Sequence, residues 1–300
     1  MAKIGFIGAS GLMGHGMAKH LLLKGHTLTL SVNRNAVRVA DLLAGGAVQA
    51  ATPADVARAS DIVFLCVTGS PQVEAVMEQL LGAARPGLLV VDCSTSEPES
   101  TARLRARCAT LGVTFVDAPL SRTPIQSEEG RLNVMVGAEP AVFAQIEPVL
   151  RAFAENVLHV GGPGAGHTIK LLNNFIAQAI CTATAEAFAV GQRAGVDLKQ
   201  LVALISNGPV NNGLFQAMAK TLDGQLDGLL FELDNARKDV RYYTHLAEGL
   251  AVPSVMGEAV HQSLVLASAL GHGAKYVPSL VEAQEQLSGA TLVPRQERRP

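Results

Sequence analysis

The sequence predicts an α/β domain with a doubly wound parallel sheet, followed by an all-helical domain. In the first half, near-continuous apolar runs such as Asp61–Val67 and Gly87–Cys93 alternate with helical patterns such as Pro98–Leu111. Strands that are apolar along their whole length belong to sheets covered by helices on both faces. After the glycine-rich segment Gly161–Gly164, only helical periodicity follows. The two halves therefore predict two domains of different class.

This change of pattern also sets the expected domain boundaries. We expect a sheet domain over residues 1–162, a helical domain over 163–294 and a flexible tail over 295–300. A chain of 300 residues that is 48% hydrophobic is long enough to bury two cores. The 24 Lys and Arg residues balance the 26 Asp and Glu residues, and no basic run precedes the tail. This balance argues against nucleic acid as the main partner.

The N-terminus, the lengths of the apolar runs and the cysteines bear on the cellular location of the protein. A strand pattern begins at Lys3, which leaves no room for a signal sequence, and no apolar run reaches the length of a membrane span. We therefore expect a cytoplasmic protein without membrane contact. Cys66, Cys93, Cys108 and Cys181 are scattered, and the first two lie in apolar runs where a thiol behaves as a small hydrophobe. The sequence predicts neither a disulfide framework nor a metal site.

The remaining elements follow from the same patterns. The predicted strands are Lys3–Gly8, Thr27–Val32, Asp61–Val67, Gly87–Cys93, Leu132–Val136 and Val157–Val160, and a further strand is predicted to end within the segment Thr114–Pro124. The predicted helices of the first half are His15–Lys24, Pro53–Ala59, Gln72–Leu81, Pro98–Leu111 and Pro140–Phe153. The second half is predicted to contain a long helix to about Gln192 and then Leu198–Ser206, Gly213–Thr221, Leu233–Ala247, Ser254–Ala269 and Tyr276–Leu287.

A glycine turn joins the first strand to the first helix. Glycines at this junction permit a tight turn, and the following helix N-terminus can face a pyrophosphate. The residues that we expect to bind it are Gly8, Ser10, Gly11, Leu12, Met13 and Gly14. The spacing G-x-x-G-x-x-G is one residue longer than usual, and a turn that only packs a helix on a strand also needs glycine. Flavin and adenosylmethionine proteins share the motif, but strand, turn and helix together favour a Rossmann-type dinucleotide-binding domain.

The end of the second strand bears on the choice of cofactor. An acid often stands there and binds the adenosine ribose hydroxyls, but this chain has Asn33 and Arg34. Arg34 would attract a 2′-phosphate, so the sequence favours NADP over NAD, which stays possible; alternatively Arg34 is a solvated surface residue. Val67 and Thr68 end the next strand, and Thr95 follows the one after it. These positions suit the nicotinamide ribose and ring.

Three polar residues in succession lie at the strand end within the segment Thr114–Pro124. Ser121, Arg122 and Thr123 would offer a hydroxyl, a guanidinium and a second hydroxyl to an anionic group such as a carboxylate or sulfonate. The alternative is a local turn in which Arg122 pairs with Glu128 or Glu129. We expect an anion site here.

The long helix carries an amine and two amides on one face. At 100° per residue Lys170 and Asn174 lie almost above one another, with Asn173 beside them. Burying a lysine among amides is costly without a partner, which makes Lys170 a candidate proton donor. The alternative is that Lys170 extends to solvent while the two asparagines bridge to another helix. The helix is also rich in alanine, which suggests a subunit interface.

Five motifs together resemble the β-hydroxyacid dehydrogenases related to 3-hydroxyisobutyrate dehydrogenase. They are the turn Gly8–Gly14, Asp92-Cys93-Ser94-Thr95, Asp117-Ala118-Pro119-Leu120-Ser121, Gly164-x-Gly166-x3-Lys170-x2-Asn173-Asn174 and Phe231-x6-Lys238-Asp239. The resemblance implies a nicotinamide cofactor on the first domain, a helical domain that pairs in a homodimer or homotetramer, and a substrate cleft between the domains. It makes Lys170 the catalytic acid or base, Asn174 the residue that holds the substrate oxygens and Ser121 part of the carboxylate loop. Thr95 and Lys238 would lie near the cofactor and the cleft.

The substrate loop departs from the common pattern of the family. The usual Ser-Gly-Gly is Ser121-Arg122-Thr123 here, similar to the Gly-Arg-Thr loop of sulfolactaldehyde reductases. We therefore expect an NADP(H)-dependent dehydrogenase or semialdehyde reductase whose substrate is a short anionic hydroxy acid or aldehyde acid. One rival is an imine reductase, although reduction of C=N needs no alkoxide protonated by Lys170. The other is a non-catalytic nucleotide-binding module, against which the retained Lys170 and the lack of basic extensions argue.

Overall fold

The computed structural model describes residues 1–33 and 35–294. The chain divides into two compact units, residues 1–171 and the residues from 172 on, so the division falls inside a long helix. The predicted tail 295–300 lies outside the described residues. None of the helices in the described residues combines the length and the apolar character of a transmembrane helix.

The first unit is built on a nine-stranded sheet. Its strands are β1 Lys3–Ile7, β2 Thr27–Ser31, β3 Val48–Ala50, β4 Ile62–Leu65, β5 Leu89–Asp92, β6 Thr114–Asp117, β7 Leu120–Ser121, β8 Leu132–Gly137 and β9 Ala154–Gly161. The order is β3-β2-β1-β4-β5-β6-β8-β7, with β9 paired to β8. The strands from β3 to β6 are parallel, whereas β8 runs antiparallel to β6 and β7. The predicted doubly wound parallel sheet is confirmed.

Helices cover both faces of this sheet. They are α1 Leu12–Leu23, α2 Ala40–Ala44, α3 Pro53–Ala59, α4 Ser70–Leu81, α5 Pro98–Thr110, α6 Pro124–Glu128 and α7 Pro140–Leu150. Neighbouring residues of one strand enter different cores, since Phe64 packs in one buried cluster and Val63 and Leu65 pack in another. This alternation is what a strand buried on both faces requires.

The second unit is helical in the described residues, as predicted. The long helix α8, Ala165–Arg193, begins in the first unit and continues into the second, where α9 Leu198–Ser206, α10 Gly213–Ala219, α11 Leu233–Gly249, α12 Val255–Ala267 and α13 Leu280–Ser288 follow. These helices enclose one apolar cluster that includes Phe188, Leu233 and Leu264. The last predicted helix, Tyr276–Leu287, is instead a short 3₁₀ turn at Val277–Ser279 followed by α13.

Candidate functional site

Glycine is required at both ends of the turn between β1 and α1. Gly8 has a φ of +99°, and a Cβ there would lie 2.1 Å from the carbonyl oxygen of Cys66. A Cβ on Gly14 would lie 2.2 Å from the carbonyl oxygen of Gly8. The N–H of Gly11 donates to the same Gly8 oxygen at 2.9 Å. Any side chain at Gly8 or Gly14 would therefore force the turn open.

The N-terminus of α1 suits an anion. No side chain caps the helix at Gly11, and its first turn carries no acid. The first N–H groups of a helix, here those of Leu12, Met13 and Gly14, have no acceptor within the helix and attract negative charge. Ser10 lies half-buried just before them. The residues of this turn thus fit the pyrophosphate of a dinucleotide.

The other residues predicted to bind the cofactor follow the parallel strands. Asn33 is exposed after β2, whereas Arg34 lies outside the described residues. Val67 and Thr68 follow β4, and the Val67 N–H donates to Ser94 Oγ at 3.0 Å. That bond ties the end of β4 to the segment that contains Thr95, which is half-buried after β5. The predicted nicotinamide end of the site is thus brought together along one edge of the sheet.

Asp92 organises the segment around Thr95, a role that our sequence analysis missed. It is the last residue of β5 and is fully buried. Its Oδ1 accepts from the Ser94 N–H at 2.9 Å, and its Oδ2 accepts from the Ser96 hydroxyl at 2.9 Å. The one signal in the sequence was a carboxylate at the end of an otherwise apolar strand.

A second buried carboxylate, Asp117, holds the start of α8. Its Oδ1 accepts from the Gly164 N–H at 2.7 Å and its Oδ2 from the His167 N–H at 3.0 Å. A Cβ on Gly166 would lie 2.5 Å from the carbonyl oxygen of Met135 and 2.8 Å from Asp117 Oδ2. A carboxylate satisfies the free N–H groups of a helix N-terminus and complements its dipole. Asp117, at the end of β6, therefore fixes where α8 begins.

The ring of His167 makes a second connection to the sheet. It is fully buried, with Nδ1 at 2.7 Å from Thr101 Oγ1 and Nε2 at 3.7 Å from Asp92 Oδ2. The first turn of α8 thus lies against the ends of both β5 and β6. Lys170 is three residues further along this helix and is half-buried.

Ser121 and Thr123 have different partners in the predicted anion loop. Ser121 pairs with Asn133 between β7 and β8, and its Oγ accepts from Asn133 Nδ2 at 3.2 Å. The Thr123 N–H donates to Gln126 Oε1 at 3.1 Å in a capping box that starts α6. Ser121 keeps its own hydroxyl hydrogen for another acceptor, whereas the Thr123 side chain is occupied in the cap.

Arg122 occupies a strained backbone position, with a φ of +83° where glycine is favoured. Its Nη1 donates to the Arg131 carbonyl oxygen at 2.5 Å and to the Glu155 carboxylate. The guanidinium holds the pKa of Glu155 below its usual value. The acid that pairs with Arg122 is therefore Glu155 on β9, not Glu128 or Glu129 as our alternative interpretation had it.

In the second unit, Asn174 and Lys238 meet on Asp239. Asn174 Nδ2 donates to Asp239 Oδ2 at 2.6 Å, and Lys238 Nζ lies 2.7 Å from Asp239 Oδ1. Asn173 Nδ2 donates to Asn174 Oδ1 at 3.1 Å, and the Lys238 ammonium lies 4.9 Å from the centre of the Tyr242 ring. The adjacent Lys238 and Asp239 form an ion pair, and Asp239 is only 2% exposed. The carboxylate thus fixes both an amide and an amine.

His15, in the first turn of α1, bridges two carboxylates. Its Nδ1 lies 2.6 Å from Glu128 Oε1 and its Nε2 lies 3.0 Å from Asp41 Oδ1, and two carboxylate acceptors favour the charged form of the ring, in which both nitrogens carry a hydrogen. Partial burial lowers the pKa of His15, but its bonds to Asp41 and Glu128 outweigh this and raise it above 6.5. The ring therefore joins α1 to α2 and α6 through charge.

This arrangement predicts a stability that depends on pH. Because the folded pKa of His15 is raised, its contribution is fully present below pH 6.5 and is lost as pH rises through the folded pKa. We expect the unfolding free energy of wild type to exceed that of His15→Gln more at pH 6 than at pH 8, by at most about 1 kcal/mol because solvent screens the pairs. Urea unfolding at both pH values checks this, and a difference that stays constant or grows with pH would contradict it.

Known proteins match this chain over nearly its whole length. Residues 3–161 match the family model described as the NAD-binding domain of 6-phosphogluconate dehydrogenase. Residues 164–283 match the model described as NAD-binding of NADP-dependent 3-hydroxyisobutyrate dehydrogenase. The chain is 32% identical to 2-(hydroxymethyl)glutarate dehydrogenase of Eubacterium barkeri over 97% of each chain.

Two further comparisons extend this result. The chain is 32% identical to 3-sulfolactaldehyde reductase of Escherichia coli, over 97% of this chain and 98% of that one. The solved structure of Mycobacterium tuberculosis 3-hydroxyisobutyrate dehydrogenase with L-serine has the same fold, with a TM-score of 0.85 at 21% identity over 94% of this chain and 98% of that chain.

Proposed function

We propose that this chain, which belongs to the β-hydroxyacid dehydrogenases related to 3-hydroxyisobutyrate dehydrogenase, uses NADPH to reduce a short aldehyde acid to a hydroxy acid. Membership makes it an NAD(P)-dependent oxidoreductase acting on CH–OH groups. Three points go further and form our proposal: the preference for NADPH, the anionic group on the substrate, and the role of Lys170.

The observation that carries the proposal is the way α8 begins. Asp117 and the ring of His167 hold its first turn against the ends of β5 and β6. In open α/β sheets ligands bind outside the carboxyl ends of the strands, which is where Thr95 follows β5. Lys170 lies less than one turn beyond His167. The position of the first turn of α8 therefore supports a role for Lys170 in chemistry at the carboxyl ends of the strands.

The proposed chemistry needs one proton donor. The nicotinamide cofactor, when bound, supplies the hydride. Lys170, as an ammonium, protonates the alkoxide that develops from the carbonyl, and as an amine it accepts the hydroxyl proton in the reverse reaction. Asn174 orients the oxygen, because its amide nitrogen has two hydrogens and Asp239 takes only one of them. Asn173 and Lys238 complete this polar cluster beside the substrate.

The loop of Ser121, Arg122 and Thr123 is proposed to recognise the acid group. Arg122 uses Nη1 for Arg131 and Glu155, and the described residues give no partner to its Nε and Nη2. These two nitrogens form the edge that a guanidinium offers to a carboxylate or sulfonate. Ser121 adds its hydroxyl hydrogen, and Thr123 shapes the loop by starting α6.

We also propose a homo-oligomer that uses one face of α8. Within the second unit this helix exposes apolar side chains at helical spacing, with Leu172 at 43%, Ile176 at 58% and Val190 at 63% exposure. Ala183 and Ala187 lie on the same face and are also exposed. A stripe of this kind fits the same stripe of a second copy, since small side chains allow close helix approach.

The function is tested by a panel assay that follows the absorbance of NADPH. Succinic, methylmalonic and tartronic semialdehydes, glyoxylate and sulfolactaldehyde are each offered with NADPH and with NADH. We expect turnover of at least one aldehyde acid and about tenfold or more weaker use of NADH, the difference made by a charged hydrogen bond from Arg34. Equal use of both cofactors would contradict the role of Arg34. Turnover of cyclic imines alone would favour the imine reductase, and no turnover at all the non-catalytic module.

A further inference from the structure

Three polar side chains lie side by side on the neighbouring strands β7, β8 and β9, and the first of them, Ser121, belongs to the predicted anion loop. Ser121 on β7 is paired with Asn133 on β8, and Asn133 is paired with Asn156 on β9. Asn156 Nδ2 donates to Asn133 Oδ1 at 2.9 Å, and Asn133 Nδ2 donates to Ser121 Oγ at 3.2 Å. Each side chain thus donates to the next, in one direction, toward the loop.

This direction determines what the Ser121 hydroxyl can do. The side-chain oxygen of Asn133 accepts a hydrogen bond from Asn156. The side-chain nitrogen of Asn133 therefore faces Ser121. A serine oxygen that accepts a hydrogen bond keeps its own hydrogen to donate, and bonds in series strengthen one another. The last group of the series, the Ser121 hydroxyl, is therefore a hydrogen-bond donor. A carboxylate or sulfonate oxygen is an acceptor that suits it.

We infer that Asn133 is a positioning residue for substrate recognition: it presents the hydroxyl hydrogen of Ser121 to the acid group of the substrate, and Asn156 fixes its orientation. This inference rests on the proposed function, since it requires an anionic substrate at Ser121. Asn133 does not touch the reacting carbonyl and has no part in proton transfer. Replacing Asn133 should therefore weaken binding of the acid group, seen as a higher KM, and leave the chemical step unchanged.

The test is Asn133→Asp, which keeps the size of the side chain but replaces the donor with an acceptor. Ser121 would then donate to the introduced carboxylate and turn its hydrogen away from the substrate. We expect the KM for tartronic semialdehyde to rise by about tenfold or more, the loss of one hydrogen bond to a charged group, while kcat changes by less than about twofold. Reduction of glyceraldehyde, which has a hydroxymethyl group in place of the acid, should keep its kcat/KM.

Two further variants separate this role from a structural one. Asn156→Ala removes only the side chain that orients Asn133, and because this side chain is exposed the variant should fold normally. We expect its KM for tartronic semialdehyde to rise by about two- to tenfold, less than in Asn133→Asp. Asn207→Asp makes the same change of charge at an exposed helix end of the second unit and should leave KM unchanged.

The possible outcomes are distinct. An unchanged KM in Asn133→Asp and Asn156→Ala, or an equal loss with tartronic semialdehyde and glyceraldehyde, would overturn the inference while leaving the proposed function intact. If wild type itself reduces glyceraldehyde as well as tartronic semialdehyde and shows no preference for any aldehyde acid, the proposed function fails and the inference fails with it.

Discussion

Replacing Lys170 with alanine is expected to lower turnover by a factor on the order of 10² to 10⁴, the usual contribution of a positioned general acid. The reason is that hydride transfer leaves an alkoxide, and without the ammonium group this charge must be quenched by water. Affinity for NADPH should stay nearly intact, because the glycine turn and the α1 N-terminus are unchanged. Steady-state turnover and a fluorescence titration with NADPH measure the two effects separately.

Two other lysine variants make this prediction specific. Lys199→Ala removes the same kind of side chain from α9, where its ammonium lies 3.6 Å from Asp223 and is exposed, so turnover should not change. Lys170→Arg keeps a positive charge, but a guanidinium does not give up its proton, so the oxidation reaction should remain slow. If Lys170→Ala turns over at a rate comparable to wild type, Lys170 is not the acid and the proposed mechanism is wrong.

The elements that the sequence predicted are those whose pattern is strong over many residues. In β4, Val63 and Phe64 face different cores, and such a strand must be apolar throughout. Helix α3 has the predicted bounds Pro53–Ala59, since Thr52 and Asp55 form a capping box directly before and within its first turn.

The elements that escaped prediction are short or exposed. Strand β7 has only two residues and α6 only five, too few for a period to appear. Strand β3, Val48–Ala50, lies at the edge of the sheet with Val48 62% exposed, so it lacks the apolar run of the inner strands. A short 3₁₀ turn, Ala36–Val39, and helix α2 were missed for the same reason.

The sequence could nominate candidate site residues where the residue type itself carries the chemistry. Lys170, Ser121 and the glycine turn stood out because an amine on an apolar helix, a hydroxyl at a strand end and closely spaced glycines are unusual in themselves. The acidic residues that hold these groups in place, Asp117 and Glu155, did not stand out in the sequence. Asp117 acts on backbone N–H groups 47 and 50 residues away, and Glu155 meets Arg122 across 33 residues. Such pairings depend on strand order and register, which residue spacing alone does not contain.

The second large effect is expected at Asp117, which is 1% exposed. Asp117→Ala removes the acceptor of two backbone N–H groups at the start of α8, that of Gly164 just before the helix and that of His167 in its first turn. Each hydrogen bond to a charged acceptor contributes about 1.5–3 kcal/mol, so the unfolding free energy should fall by about 3 kcal/mol or more. Turnover should fall as well, because the helix that carries Lys170 loses its attachment to β6. Urea unfolding and steady-state kinetics measure both losses.

Asp117→Asn refines this prediction, because the amide keeps the shape of the side chain but has one accepting oxygen. Its NH₂ group would face one of the two N–H groups, so both losses should persist in reduced form. Asp55→Ala is the matched control: it also removes a carboxylate from a helix N-terminus, but this capping box is exposed and starts α3, so turnover should remain at the wild-type level. If Asp117→Ala is no less stable than Asp55→Ala and keeps full turnover, α8 does not depend on this carboxylate. The start of α8 would then no longer support a catalytic role for Lys170.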